Sequence, residues 1–291
     1  MPDFIKQNVQ WFPGHMAKTR RLIKESLYLV DGVVEIVDAR IPISSRNPEL
    51  DSIIQKKPRI ILLNKCDVAD SQATSMWLKY FRDKGFYAAA VDCRTGKGLN
   101  SFDSLVKQAL KSVIERNDAK GMSGKPLRLM VVGIPNTGKS SFINRMGKNA
   151  KAKVADKAGV TRQNQWFVVG NGIELLDTPG VLWPKFDDPE VGDKLAFIGS
   201  VKDEVTDKET LACRLLESLA ATRPQAIEDR YKISGISGHQ GWEILEMIGK
   251  KRGFLIKGGE IDYERAAVIV ADEFRGGNFG RITLELTIDE Y

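Results

Sequence analysis

Cysteine is scarce in this chain: Cys66, Cys93 and Cys213 are the three in 291 residues. None pairs as C-x-x-C and an odd number builds no disulfide framework, which excludes the disulfide-stapled secreted classes and fits a reducing cytosol. Long apolar runs are missing too. No segment approaches the ~20 residues that span a bilayer, and the polar N-terminus lacks the apolar core of a signal peptide. The expectation is a soluble, cytoplasmic protein. There are no internal repeats and no low-complexity tracts, so solenoid and disordered classes are set aside. Acidic residues are depleted in one place. Residues 116–165 carry eleven Lys and Arg against Asp118 and Asp156, a surplus of nine positive charges in a chain whose net charge is +6. A field of that sign implies a polyanionic partner, with a solvated lysine-rich surface as the alternative.

Against these absences stands Gly133 Ile134 Pro135 Asn136 Thr137 Gly138 Lys139 Ser140. The apolar run 129–132 before it reads as a buried strand, and Ser141 opens what reads as a helix. Strand, glycine loop and helix in the pattern G-x-x-x-x-G-K-S are the setting of a phosphate loop. Backbone N–H groups of Gly133, Asn136, Thr137, Gly138 and Ser141 can turn toward phosphate oxygens, the helix N-terminus adds its positive end, Lys139 reaches the β- and γ-phosphates, and the Ser140 hydroxyl can ligate Mg²⁺.

Around this loop the pattern alternates. Strands are predicted at 33–37, 59–63 and 86–91, with helices at 49–55, 71–84 and 101–116 and a linker at 117–126. Beyond the loop come a hairpin over 165–169 and 173–176 and helices at 207–221, 240–252 and 262–275. This is a doubly wound α/β domain over 1–202, with an N-terminal extension at 1–30, followed by a small all-α domain over 203–291.

Asn64 Lys65 Cys66 Asp67 stands at the end of the second predicted strand. The Asp67 carboxylate can accept two hydrogen bonds, from guanine N1–H and the exocyclic amine, a donor pair that adenine lacks. Asp177 Thr178 Pro179 Gly180 ends another strand. There Asp177 would approach Mg²⁺ through water and the Gly180 amide would sense the γ-phosphate. Thr161 would add a second hydroxyl to the metal; its alternative is a turn cap. Together these residues imply GTP and GDP as ligands.

The motifs stand in circularly permuted order, 64–67 before 133–140 before 177–180. With W-F-P-G-H-M at 11–16 and D-A-R-I-P-I-S-S-R-N-P at 38–48, the chain resembles the ribosome biogenesis GTPase A family over nearly its whole length. The resemblance implies a Mg²⁺-dependent GTP phosphohydrolase that assists late assembly of the bacterial large (50S) ribosomal subunit and is stimulated by it. Two departures matter. Asp92 Cys93 Arg94 stands where many GTPases have Ser-Ala-Lys, with the Cys93 backbone N–H expected on guanine. Val181 follows Gly180 where many have a water-orienting glutamine, and an aliphatic side chain cannot do that work. His15 is the candidate catalytic residue beside Lys139, weighed against a structural or contact role next to Trp11 and Phe12. Likeness to GTPases with P-N-x-G-K-S implies that Asn136 helps to hold K⁺ near the phosphates, weighed against loop stabilisation.

The favoured partner is ribosomal RNA of the large subunit, contacted by Lys148, Lys151, Lys153, Lys157 and Arg162, by Lys18, Arg20, Arg21 and Lys24, and by Lys250, Lys251 and Arg252. A signalling GTPase with a protein effector, and a GTPase acting on the small subunit or on tRNA, stay open beside it. A monomer is expected.

Overall fold

The computed structural model describes residues 16–54, 57–147, 165–170, 172–180, 182–183, 188–201 and 207–287. Strand β1 (Gly32–Asp38) is buried along its whole length, as is β2 (Arg59–Asn64). Runs of Val, Ile and Leu this continuous belong in a parallel sheet covered on both faces. With β3 (Tyr87–Ala90), β4 (Leu127–Val132), β5 (Gln165–Val169) and β6 (Ile173–Asp177), they form one six-stranded sheet in the order β3-β2-β1-β4-β6-β5. Pairing is parallel except for the β5–β6 hairpin. The two halves of the permuted chain thus meet in the middle of a single sheet, where β1 lies beside β4.

Helices cover both faces, which makes the sheet doubly wound. On one side α1 (Met16–Ser26) and α2 (Glu49–Ile54) bring Ile23, Leu50 and Ile54 against Val33, Met130 and Leu176. On the same side α3 (Ser71–Asp83) packs Trp77 and Phe81 on Val37, Ile61 and Leu63. The other side is covered by α4 (Phe102–Ala109), α5 (Lys111–Ala119) and α6 (Lys139–Met146), where Phe102 and Phe142 meet edge to face at 5.1 Å. A carboxylate is buried in the middle of β1: Glu35 accepts from Arg59 at 2.5 Å and from Arg46, and Asp51 completes the cluster. Both guanidiniums lie over the Phe86 ring. Pairing of this kind offsets the cost of taking a carboxylate out of water.

The helix expected over 101–116 is divided. A 3₁₀ turn at Leu99–Ser101 leads into α4, the chain bends at buried Leu110, and α5 continues to Ala119, past the start of the expected linker. Asn117 ends it by accepting from the amides of Lys120 and Met122.

The described residues separate into two compact units, one holding residues up to 183 together with 285–287 and the other holding 188–284. The second is all helix: α7 (Pro189–Phe197), α8 (Lys208–Thr222), α9 (Pro224–Tyr231), α10 (Gly241–Arg252) and α11 (Tyr263–Arg275). Sequence patterning puts the boundary at 202/203; the structure puts it earlier because α7 is tied to this unit. Arg214 pairs with Asp193 at 2.8 Å, and Arg275 donates to the carbonyls of Ala196 and Phe197 at the end of α7. Neither α7 nor α9 was expected. Each has too few turns to show a period, and the cue left in the sequence is a proline at the first helical position. Gly241 lets α10 cross α8 closely, since a Cβ there would lie 2.1 Å from the Cys213 carbonyl oxygen. Among the described residues no helix is long and apolar enough to cross a membrane.

Candidate nucleotide site

Because β1, β2, β4 and β6 are parallel, the residues after their carboxyl ends share one edge of the sheet. The register sets Asp38 beside Asn64 and Val131 beside Asp177. That edge is where open parallel sheets hold ligands.

The phosphate loop turns as its glycines require. Gly133, Asn136 and Gly138 have φ of 150°, 61° and 97°. A Cβ on Gly133 would sit 2.5 Å from the Ile36 carbonyl oxygen, and one on Gly138 would sit 2.2 Å from Asn64 Nδ2. Both positions therefore demand glycine, while asparagine is among the few other residues that tolerate the left-handed region. Thr137 Oγ1 and Lys139 Nζ both donate to the Ile134 carbonyl, at 3.0 and 2.7 Å. Burial pushes the Lys139 ammonium down to about 8, with Asp177 acting against that shift. The 177–180 loop runs beside this lysine, for a Cβ on Gly180 would lie 2.9 Å from Lys139 Nζ. Thr178 Oγ1 holds the loop to β4 by donating to the Val131 carbonyl at 2.7 Å. Ser140 and Ser141 occupy the first turn of α6.

Asn64 joins the two ends of the site. Its Nδ2 donates to the Thr137 carbonyl at 2.7 Å, and its Oδ1 accepts from the Cys93 amide at 2.9 Å. The single N–H of Cys93, expected on guanine, is thus spent on positioning Asn64. Burial pushes the Cys93 thiol up to about 12, so it stays protonated and unreactive at neutral pH. Cys66 is half-buried, and its amide donates to the Val91 carbonyl. Asp67 is paired through Oδ2 with the exposed Arg94 guanidinium at 3.1 Å. The Arg94 carbonyl in turn accepts from Arg145 Nη2 of α6 at 2.6 Å, so the 92–97 loop is bound to the helix that follows the phosphate loop.

Sequence reasoning quoted D-A-R without finding its work. Asp38 and Arg40 form an ion pair at 2.8 Å with both side chains at or below 1 % exposure, and Lys65 Nζ reaches Asp38 at 3.0 Å. Burial alone would raise the Asp38 carboxyl, but Arg40 and Lys65 outweigh it and hold it well below the usual carboxylate range. Burial lowers Lys65, with Asp38 opposing. Lys65, at φ 61°, is thereby anchored two residues before Asp67. A charged residue ending a largely apolar strand was the available signal. For Arg145 there was none.

Among the described residues no group of three or more His, Cys, Asp or Glu could hold a metal by itself. The Ser140 hydroxyl and the Asp177 carboxylate are hard oxygen donors, which suits Mg²⁺, an ion that keeps several waters and takes its other ligands from substrate phosphates. His15, Thr161 and Val181 lie outside the described residues, as do Lys148, Lys151, Lys153, Lys157 and Arg162.

Comparison with known proteins points the same way. Residues 128–231 match a family model described as a 50S ribosome-binding GTPase. The chain is 47% identical over 279 residues to "Ribosome biogenesis GTPase A" of Priestia megaterium, covering 95% of this chain and 96% of that one. To the protein of the same name from Thermotoga maritima it is 33% identical over 277 residues, with 95% and 94% covered. Of solved structures, GDP-bound "TM YlqF" superposes with a TM-score of 0.67 at 30% identity, covering 93% of this chain and 100% of that one.

Proposed function

The chain belongs to the ribosome biogenesis GTPase A family, and from that premise we propose that this GTPase binds ribosomal RNA and assists late assembly of the large ribosomal subunit in the cytoplasm, hydrolysing GTP fastest when docked there. The observation that carries the reading is the Asn64 junction. One side chain spans the phosphate loop and the 92–97 loop, so base and phosphates are read by one connected frame.

In this reading Asp67 accepts from guanine N1–H and N2–H₂, and Asn64, Lys65, Cys66 and Cys93 build the wall that aims it. The amides of Gly133, Asn136, Thr137, Gly138 and Ser141 surround the phosphates. Lys139, with its charge held in a buried setting, is strengthened by the phosphate negative charge it meets. Ser140, Thr161 and, through water, Asp177 would hold Mg²⁺, which would supply charge neutralisation for the phosphates. The Gly180 amide, beside Lys139, reports the γ-phosphate. His15 orients the attacking water that Val181 cannot, and Asn136 would help to hold a K⁺, which would add positive charge near the phosphates. The protein acts as a monomer.

Co-sedimentation of the full chain with purified large or small subunits, with a GTP analogue or GDP, tests the reading. Retention on large subunits with the GTP analogue, falling steeply as KCl rises, is the expected result. Equal binding to both subunits, or to neither, would overturn it.

A further inference from the structure

Between α10 and α11 the helical unit carries a short, well-fastened hairpin. Gly253 ends α10 in the left-handed region at φ 68°. Leu255 and Ile261 then pair as an antiparallel bridge. Ile256 N donates to the Glu260 carbonyl at 2.9 Å, and Asp262 N donates to the Phe254 carbonyl at 2.9 Å. Phe254 is buried under the Arg265 guanidinium, 5.1 Å from its ring centre. Asp262 also caps α11 by accepting from the Arg265 amide. The base of the hairpin is therefore held from both helices.

Its first arm is built the opposite way from an ordinary surface segment. Leu255 and Ile256, just before the turn at 257–259, are 49% and 47% exposed, two adjacent aliphatic side chains turned to solvent. Residues 247–259 contain Lys250, Lys251, Arg252 and Lys257, and Glu260 is the one carboxylate of the hairpin. Cations in the last turn of a helix are explained by its dipole, but Lys257 lies beyond the helix, on the hairpin itself. Arg252 lies over the Tyr231 ring at 5.3 Å, and Lys250 is engaged by Glu246, which leaves Lys251 and Lys257 on either side of the aliphatic pair in the sequence. A rigid apolar point between cations matches a polyanion that can offer apolar faces between its charges. RNA with unstacked bases does so, and apolar wedges between base steps are an established way for proteins to use it.

We propose that the 254–261 hairpin is an RNA wedge: Leu255 and Ile256 pack on exposed bases of a loop or bulge while Lys251 and Lys257 contact the adjoining phosphates. The inference rests on the ribosomal reading above and names the segment that makes the contact.

The test uses the full-length protein and two probes, intact large subunits and protein-free large-subunit RNA, over a KCl series. Leu255→Ser with Ile256→Ser is expected to weaken binding to both probes by about tenfold with the salt slope unchanged, and GTP turnover without subunits should stay at the parent value. Lys251→Ala with Lys257→Ala should lower the salt slope by about one to two. Leu255→Met with Ile256→Met, which keeps an apolar pair, should bind as the parent does and so separates the wedge from any effect on folding. Parent-like RNA binding by the serine pair would overturn the proposal. So would loss on subunits with none on free RNA, which would make the pair a protein contact. If the parent protein binds neither probe, the ribosomal reading itself fails and the wedge falls with it.

Discussion

In the proposed function Asp67 carries the choice of base, and its setting makes that choice testable. One of its oxygens is engaged by Arg94 at the rim, which orients the carboxylate. Replacing Asp67 by Asn exchanges an acceptor for an N–H₂ donor facing two guanine donors. Leaving such groups unmatched costs about 1–3 kcal/mol. GDP affinity should therefore fall by about 10- to 100-fold, while a base with a carbonyl in place of the exocyclic amine is accepted better. Titrations of GDP and XDP against Asp67→Asn measure this, and an unchanged ratio of the two affinities would remove Asp67 from base reading. Asp67 was legible from sequence because N-K-x-D has a chemical rationale. Arg94 was not, since its part depends on a loop that folds back to β2.

At the scale of elements, the buried strands could be read because their sequences are largely apolar, and the hairpin because Gly170 Asn171 Gly172 separates two short apolar-rich segments. What escaped were features set by tertiary contact: the bend at Leu110, the short helices α7 and α9, and the D-A-R pair. Asp38 ends β1 with no water to solvate it, and Arg40 and Lys65 keep it charged. Removing one member of a buried pair costs about 3–5 kcal/mol, so Asp38→Asn should lower the urea midpoint strongly at pH 7. The pH dependence has a definite sign. A carboxyl whose folded pKa is depressed adds stability that is complete above its unfolded value near 4 and is lost as pH falls toward the folded one. Parent and variant midpoints should thus converge between pH 6 and the lowest pH at which both fold. A gap that stays constant with pH would contradict this account of Asp38.

At the scale of the whole chain, the first unit is built from segments far apart in sequence. After leaving the helical unit the chain returns to the first unit, where Glu285 is buried and accepts from the amides of Ile43 and Ser44 at 2.7 and 3.0 Å. Its own carbonyl accepts from Trp77 Nε1 at 2.8 Å. This clasp holds the loop that follows Asp38, and sequence reading missed it because 240 residues separate the partners. Glu285→Ala strands one buried and one part-buried backbone donor and should cost about 1–3 kcal/mol, read as a lower melting temperature of the nucleotide-binding unit; an unchanged melting curve would show that the clasp is incidental. The permuted order, the surplus of positive charge in 116–165 and the family membership all bear on one claim, that the site is completed by the large subunit. GTP turnover by the purified chain, alone, with large subunits and with small subunits, each in KCl and in NaCl, measures it most directly. The account predicts slow turnover alone, strong stimulation by large subunits only, and a faster rate in KCl. Intact GTP binding with no stimulation by either subunit would contradict it.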